Sequence, residues 1–287
     1  DDVYLKNPIG TGPYKFVEWV SGDHTTLTAN EDYWGNKPSI KNIVIQIVAD
    51  TNTQILGLQN GDYDVVRNPS IDVCTRLDGN SDVAWNSTLS TGRITLYLND
   101  WTGACKDVNF RKAVQAGIDK QMINDGVYAG RSEILNVDMC SNYLSFVTEA
   151  DGVEVVPYDV EAAKEYLAKS NYNGEAFSIS VPSGSALENV AKIIQAQLME
   201  VGINCTIKAT DYPTYSGEWK NRTYEAYVLN NLCSLVDADG MYTGHRLDRE
   251  PWEDRVFQRD GEISEILLKA RAAQGEDRKA LYVEACN

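Results

Sequence analysis

The sequence has no uninterrupted apolar run of 18 residues, the length that a membrane-spanning helix needs. It has only two histidines and no Cys-x-x-Cys pair, so zinc ribbons, iron–sulfur clusters and thioredoxin-type motifs are not indicated. The signatures G-x-x-x-x-G-K-[ST], G-x-S-x-G and H-E-x-x-H are absent. Basic residues are scarce: 26 Lys and Arg stand against 42 Asp and Glu, a net charge of −16. This balance argues against nucleic acid or an anionic membrane surface as a partner.

The chain contains enough apolar residues for a large core. It has 287 residues, 43% of them hydrophobic, and this length favours roughly two domains. The six cysteines are scattered, which leaves two interpretations open: up to three disulfides in an exported protein, or free thiols that are mostly buried. They are Cys74, Cys105, Cys140, Cys205, Cys233 and Cys286.

The first part of the chain is predicted to be rich in β-structure. Alternating patterns predict a hairpin of residues 14–19 and 24–29, and the apolar residues 43–48 predict a third strand that is buried on both faces. A helix is expected to begin at Asp50 or Thr51 and to end at Gly61, before a strand at residues 63–66. Strand, helix and strand at this spacing predict a parallel βαβ unit.

Helices become more frequent after residue 92, where we place a domain boundary between residues 1–92 and 93–287. The pattern at residues 185–188 has the form of a capping box, which opens a helix that ends at Gly202. Residues 211–221 are expected to form a loop. The other predicted helices are 109–118, 120–128, 159–169, 262–273 and 277–286, and the strands are 93–99, 177–181, 203–208 and 225–230.

The candidates for chemistry are weak, whereas the aromatic residues suggest binding. Any histidine-dependent catalytic site must use His24, at a hairpin edge, or His245, in a polar loop, and no two acids are singled out by an apolar setting. Each loop aromatic residue is by itself best explained as a contact that fastens the loop, but together they suit a cleft for an apolar or peptidic ligand. They are Trp34, Trp101, Tyr143, Tyr212, Tyr215, Trp219 and Tyr242.

Several motifs occur in an order that resembles one protein family. They are G-T-G-P-Y at residues 10–14, N-E-D-Y-W-G at 30–35, Q-N-G-D-Y-D at 59–64, F-R-K-A-V at 110–114 with G-I-D-K at 117–120, and P-Y-D-V-E-A-A at 157–163. This order is similar to that of the family 5 extracellular solute-binding proteins, the dipeptide, oligopeptide and nickel receptors of ABC importers. Gly117 stands where the family usually has alanine.

The resemblance implies an α/β fold of the periplasmic-binding-protein type II-like (class C) kind, with mixed sheets flanked by helices. It implies that the chain is a fragment in which residues 1–92 are the central part of lobe one and residues 93–287 are lobe two. The expected protein is a bacterial, extracytoplasmic monomer, lipid-anchored in a Gram-positive host. It closes two lobes on a short peptide, delivers the peptide to a membrane permease and performs no chemistry.

The resemblance also implies where the ligand binds. Peptide receptors of this family hold the ligand's amino group in a segment like W-x-x-D-x-x-D-P. Here the Trp position holds Asn231, the anchoring Asp position holds Ser234, and Asp237 aligns with the D of D-P. A hydroxyl is a poor partner for an ammonium, so either Asp237 or Asp239 replaces the anchor or the ligand lacks a free amine.

We therefore expect a cleft with no metal and no cofactor. The expected ligand-binding residues are Asn231, Cys233, Ser234, Asp237, Asn99, Trp101, Tyr212 and Trp219. Two alternatives remain at this stage. One is a hydrolase that acts on a peptide or glycan, and the other is a receptor or adhesion module that keeps the fold without transport.

Overall fold

The computed structural model describes residues 7–232, 236–240 and 261–287. The chain divides into two compact units, residues 1–86 and 87–287. The boundary expected near residue 92 lies within the second unit, and the assignment of residues 1–92 and 93–287 to two lobes stays a prediction.

The first unit is built on a three-stranded antiparallel sheet. Its strands are β1 (Tyr14–Val20), β2 (His24–Ala29) and β3 (Asn42–Gln46), in the order β1-β2-β3. The expected hairpin of the first two strands is confirmed, with Val20 opposite His24. Two helices follow, α1 (Thr51–Asn60) and α2 (Ile71–Arg76).

The predicted parallel βαβ unit is wrong. Strand β3 pairs antiparallel with β2, and residues 63–66 form no strand in the described structure. Burial of β3 on both faces is also wrong, because Val44 and Ile45 keep 62% and 54% of their surface exposed. An apolar run shows that a strand is favoured, but its pairing partner depends on contacts distant in sequence.

Helix α1 begins and ends where the sequence predicts. The Asp50 side chain accepts a hydrogen bond from the backbone N–H of Thr53, which satisfies one of the unpaired donors of the first turn. Gly61 ends the helix in the left-handed region at φ 80°. That conformation costs glycine little, so glycine is favoured at this position.

The second unit contains a four-stranded mixed sheet in the order β4-β7-β5-β6. Strands β5 and β6 are parallel, β5 and β7 are parallel, and β4 and β7 are antiparallel. The strands are β4 (Gly92–Leu98), β5 (Phe177–Pro182), β6 (Cys205–Thr210) and β7 (Ala226–Leu232). The helices are α3 (Val108–Ala116), α4 (Lys120–Tyr128), α5 (Val160–Lys169), α6 (Ala186–Val201), α7 (Tyr212–Asn221), α8 (Gly261–Ala272) and α9 (Gly275–Cys286), with short 3₁₀ turns at Gly103–Lys106 and Glu149–Asp151.

The main core lies between one face of this sheet and helices α3 to α6. Phe110, Ile179 and Leu198 are fully buried there. A second cluster joins α8 and α9 to the segment around residues 137–153 and includes Met139, Leu267 and Tyr282. The opposite face of the sheet is covered by α7, and this arrangement positions the candidate site.

Two local predictions in the second unit are wrong. Residues 211–221 were expected to form a loop, yet α7 forms because Asp211 caps it and because Tyr215 and Glu218 are buried. The capping box is not formed, since the Ser185 hydroxyl donates to the carbonyl of Pro182 and Glu188 accepts from the backbone N–H of Gly184.

The structure favours free thiols at the described cysteines. Cys74, Cys105, Cys140 and Cys205 are buried, Cys286 is partly exposed, and none of these five forms a disulfide with another cysteine that the structure describes. Cys233 lies outside the described residues. Burial raises the pKa of Cys105 and of Cys205 to about 12, so both are protonated at neutral pH.

We expect Gly117→Ala, which introduces the residue usual in the family, to lower the free energy of unfolding by about 1 kcal/mol. A Cβ at this position would lie 2.9 Å from Val201 Cγ2 and 3.1 Å from the carbonyl oxygen of Ala113. The matched control is Gly217→Ala in α7, where nothing lies within 4 Å and a gain of up to about 1 kcal/mol is expected. Urea denaturation followed by circular dichroism measures both, and a Gly117→Ala variant as stable as Gly217→Ala would contradict the prediction.

Candidate functional site

The candidate site lies on the face of the β4-β7 pair that points away from the main core. Side chains alternate along a strand, so Arg93, Thr95 and Tyr97 of β4 share this face. In the antiparallel register, Arg93 lies opposite Asn231 and Tyr97 lies opposite Tyr227. The site therefore has a charged and polar end and an aromatic end.

Helix α7 packs its aromatic side chains against this face. Tyr215 stacks on Tyr227 with ring centroids 4.1 Å apart, and Trp219 lies 4.8 Å from Tyr227 and 5.2 Å from Tyr97. Tyr224 completes the group at 5.1 Å from Tyr227. We call these five residues the aromatic face, and Tyr97 and Trp219 are its half-buried members.

Two buried hydroxyl groups of the aromatic face, those of Tyr215 and Tyr227, are hydrogen-bonded. Tyr215 donates to the carbonyl of Val228 at 2.5 Å, and Tyr227 donates to the carbonyl of Tyr215 at 3.1 Å. Burial disfavours the phenolate, which raises the pKa of Tyr215 to about 12 and raises those of Tyr224 and Tyr227 as well. These hydroxyls remain neutral donors throughout the physiological range.

A buried carboxylate fixes α7 to the sheet. Glu218 accepts hydrogen bonds from Ser180 Oγ at 2.6 Å and from Lys208 Nζ at 2.7 Å. Ser180 lies on β5 and Lys208 on β6, so one side chain of α7 contacts two strands. Because charged groups are costly to bury without partners, this contact sets the position of α7 on the sheet.

The polar end of the site is a network around Arg93. Its guanidinium donates from Nε to Asp138 Oδ1 at 2.5 Å and from Nη2 to Asp138 Oδ2 at 3.4 Å. Thr95 Oγ1 also donates to Asp138, while Tyr97 Oη accepts from Arg93 Nη2 at 3.5 Å and from Asn231 Nδ2 at 3.3 Å. We call these five residues the Arg93 network. Only 2% of the Arg93 side chain is exposed, and the negative charge of Asp138 raises the pKa of Arg93 despite this burial.

Two predicted site residues lie together at the end of β4. The Asn99 side chain donates to the carbonyls of Arg222 and Tyr224 at 3.2 and 2.8 Å and accepts from the backbone N–H of Trp101. The Arg222 guanidinium lies 4.6 Å from the centroid of the Trp101 indole ring, a cation–π distance. Asn99 thus joins the exit of β4 to the connection between α7 and β7, and Trp101 remains 41% exposed.

The other predicted site residues are distributed over the unit. Asn231 belongs to the Arg93 network, Trp219 belongs to the aromatic face, and Tyr212 is 70% exposed with its ring 6.1 Å from that of Tyr215. Asp237 lies elsewhere, in a bidentate ion pair with Arg278 at 2.6 and 3.0 Å. The predicted positions Cys233 and Ser234 lie outside the described residues, and so does His245.

The carboxylates of Asp237 and Asp239 are both bound by arginines. Arg271 Nε donates to Asp239 Oδ1 at 3.0 Å, as Arg278 does to Asp237. These pairs line a shallow open groove of about 590 Å³ beside Leu144. Either acid would have to exchange its arginine for the ligand's ammonium in order to replace the missing anchor, so the amino-group prediction stays a prediction.

Sequence reasoning missed Arg93, Asp138 and Tyr97 as members of the site. Asp138 is 45 residues from Arg93 in the chain, and nothing local marks it as a partner. A signal was available at Arg93, because a charged residue that alternates in step with Thr95 and Tyr97 in a strand indicates a polar face. Within the part of the chain that the structure describes, no three His, Cys, Asp or Glu side chains are grouped to hold a metal ion, and no helix is long and apolar enough to cross a bilayer.

Comparison with known proteins identifies relatives along nearly the whole chain. The chain is 25% identical over 291 residues to the oligopeptide-binding protein AppA of Bacillus subtilis, and the alignment covers 96% of this chain and 52% of that protein. It is also 25% identical to di/tripeptide-binding protein 2 of Pseudomonas aeruginosa, covering 99% of this chain and 54% of the relative. The chain thus spans about half the length of these curated relatives.

A solved structure shows the same fold. The ABC transporter substrate-binding protein CtaP of Listeria monocytogenes superposes with a TM-score of 0.86 at 24% identity, covering 98% of this chain and 58% of that one. The expected α/β fold of type II periplasmic binding proteins is confirmed. The family model described as bacterial extracellular solute-binding proteins, family 5 Middle, matches residues 1–250. The chain therefore belongs to the family 5 bacterial extracellular solute-binding proteins.

Proposed function

We propose that the protein is the substrate-binding component of an ABC importer and that it captures a short peptide outside the cytoplasm. The observation that carries this proposal is the family match over residues 1–250. The names of the curated relatives, oligopeptide-binding and di/tripeptide-binding, favour a peptide over other solutes. The full-length protein closes two lobes on the ligand as a monomer and presents the closed form to a membrane permease.

The aromatic face and the Arg93 network are the proposed ligand-binding surface of the second unit. Exposed or half-buried Trp101, Tyr212 and Trp219 offer ring surfaces for apolar side chains, and half-buried Asn231 offers an amide. Binding sites for peptides combine such apolar area with a few fixed polar groups. The hydrogen-bonded side chain of Asn99 can shape this surface without contacting the ligand. Direct contact of Asn99 or of Asp237 with the ligand stays a prediction.

We propose binding without chemistry, in agreement with the solute-binding family. The expected lipid anchor belongs to the same proposal. A hydrolase would consume the ligand, so incubation of a peptide with the full-length protein followed by mass spectrometry separates the two functions. Recovery of the intact peptide is expected, and its cleavage would support the hydrolase.

The decisive experiment is native mass spectrometry of the full-length protein, gently purified from its host. We expect an added mass in the range of a short peptide that fragments into amino-acid residues. As a control, protein that has been unfolded, washed and refolded loses the added mass and regains it with the released ligand. A bound ligand that contains no peptide bond would overturn the peptide assignment and leave the transport role to be tested with that ligand.

A matched comparison uses the 287-residue chain alone. Dipeptides and tripeptides at millimolar concentration are expected to give it no thermal stabilisation, since both lobes contribute to the proposed cleft. The full-length protein at a hundredfold excess of ligand over the dissociation constant should gain about 2.7 kcal/mol. Equal stabilisation of both would show that the 287-residue chain is sufficient for binding.

A further inference from the structure

The open groove of about 590 Å³ beside Leu144 combines apolar side chains with ion pairs, and we call it the Leu144 groove. Its lining includes Leu144, Val236 and the pairs Asp237–Arg278 and Asp239–Arg271.

The Leu144 groove lies at one end of the four-stranded sheet. At this end Leu232, the last residue of β7, pairs with Gly92, the first residue of β4. Just before Gly92, the carbonyl of Thr91 accepts a hydrogen bond from the Tyr143 hydroxyl at 2.7 Å, which places the neighbouring Leu144 here as well. Strand β7 is parallel to β5, so both strands have their carboxyl ends on this side. In open α/β sheets, ligands bind outside the carboxyl ends of the strands.

The apolar part of the groove is held in place by the backbone. The N–H of Leu144 donates to the carbonyl of Val236 at 3.1 Å, and the N–H of Ala238 donates to the carbonyl of Leu144 at 3.2 Å. This parallel bridge fixes the two segments side by side. Leu144 is 66% exposed and Val236 is 49% exposed. The groove therefore presents apolar surface that a ligand can reach.

The charged side chains of the groove neutralise one another. Arg278 binds both carboxylate oxygens of Asp237, at 2.6 and 3.0 Å. Arg271 Nε lies 3.0 and 3.2 Å from the two carboxylate oxygens of Asp239. The described residues of the lining thus carry formal charges that sum to zero. A charged ligand group would lose hydration here without meeting an opposite net charge, whereas an apolar group has no such cost.

We propose that the Leu144 groove is a subsite for one uncharged, apolar side chain of the bound peptide. Leu144 and Val236 provide the apolar contact, and the two ion pairs form the neutral walls. The volume lies in the range of small-molecule sites and accommodates one such side chain. The groove adjoins the proposed binding surface, because Asn231 immediately precedes the last residue of β7. The inference rests on the proposed function and names the kind of residue that the site selects.

The test uses trialanine and the tripeptides in which one alanine is replaced by leucine, lysine or glutamate. Calorimetry on the full-length protein measures the affinity for each peptide. At one of the three positions, we expect leucine to bind about tenfold more tightly than alanine, because its additional apolar surface is removed from water. At that position the lysine and glutamate peptides should bind at least about tenfold more weakly than the leucine peptide. Tighter binding of either charged peptide would contradict the inference.

The variant Leu144→Ser tests the apolar contact. It removes apolar surface from the groove and keeps the backbone bridge, so the preference for leucine over alanine should fall from about tenfold to below about threefold. The matched control is Leu268→Ser, since Leu268 is 51% exposed on α8 and is not part of the groove lining. This control should retain the preference. A purely structural role of Leu144 would weaken all peptides equally and leave their ratio unchanged.

The variant Arg271→Gln tests the charge balance. It makes the summed charge of the groove lining −1, so the affinity for the lysine peptide should rise about threefold or more relative to the leucine peptide. Lys269→Gln is the matched control, because Lys269 is an exposed residue of α8 outside the groove lining. It should leave the ratio unchanged, and circular dichroism verifies the fold of each variant.

The outcomes separate this inference from the proposed function. Tripeptide binding without any preference for leucine would overturn the subsite and leave the proposed function intact. Failure of the wild type to bind these peptides and a mixed tripeptide library would overturn both. If Leu144→Ser lowers the melting temperature far more than Leu268→Ser and leaves the leucine preference unchanged, the groove is covered by the protein itself and the inference is refuted. If Leu144→Ser does not fold, the ratio in Arg271→Gln decides.

Discussion

Asp138→Ala is expected to lower the free energy of unfolding of the second unit by about 3–5 kcal/mol. Only 2% of the Arg93 side chain is exposed. The substitution leaves its guanidinium without its counter-ion and without two hydrogen bonds. Removal of one partner from a buried ion pair costs far more than the pair contributes, because the remaining charge is desolvated and unpaired. Urea denaturation, fitted with a transition for each unit, measures the loss.

Two further variants show whether the loss comes from the buried charge. Glu161→Ala breaks the ion pair between Glu161, which is 82% exposed, and Lys164, which is 45% exposed. It should lower the free energy of unfolding by less than about 1 kcal/mol. The double variant Arg93→Met with Asp138→Leu removes both charges and should recover most of the stability lost in Asp138→Ala. A cost for Asp138→Ala no greater than that of Glu161→Ala would show that Arg93 is not desolvated as described.

Phe110→Ala is expected to lower the free energy of unfolding by about 3–5 kcal/mol, which is the second large effect. Phe110 is fully buried in α3, with its ring 5.3 Å from that of Phe177 on β5 and 5.2 Å from that of Tyr172. Its truncation opens a cavity where the helix meets the sheet, and the surrounding side chains can collapse into it only in part.

Val108→Ala is the control for Phe110→Ala because it lies in the same helix and is 50% exposed. It should change the free energy of unfolding by less than about 0.5 kcal/mol. The measurement is the same urea denaturation. A cost below about 1.5 kcal/mol for Phe110→Ala would mean that α3 shifts to fill the cavity, and the crystal structure of the variant would reveal the shift.

Interactions within a few residues could be predicted from the sequence. The caps at Asp50 and Asp159 involve a side chain and a backbone N–H three residues later, and both are found as expected. The hairpin of β1 and β2 depends on a turn between neighbouring strands and is also found. In each case the residues that decide the structure stand together in the chain.

Features that depend on distant contacts could not be predicted in this way. Residues 63–66 were assigned to a strand on local grounds, but a strand forms only where another strand is available to pair with it. Helix α7 contains Gly217, which is a weak helix former, and it is stabilised by packing on the sheet and by the contacts of Glu218 with β5 and β6. The sequence alone does not reveal that sheet face.

The candidate site, too, could be predicted from the sequence only in part. Asn231 was identified from the family pattern and Trp219 from the loop aromatic residues. In the structure Asn231 lies on one face of the sheet, and Trp219 of α7 packs against that same face. The partners that orient Asn231 were missed, since Tyr97 is 134 residues away from it and Asp138 is held through Arg93. Local patterns could indicate residues of such a surface, but the hydrogen-bond partners of those residues are set by the strand register.

The buried thiols give the protein built-in reporters of local opening. Cys74 is a buried cysteine of the first unit, and Cys105, Cys140 and Cys205 are buried in the second. A thiol-specific reagent can modify them only when the surrounding structure opens. The labelling rate of each cysteine therefore measures local opening of the structure around that cysteine. Mass-spectrometric counting of labelled sites over time would thus compare the stability of the two units in the unaltered protein.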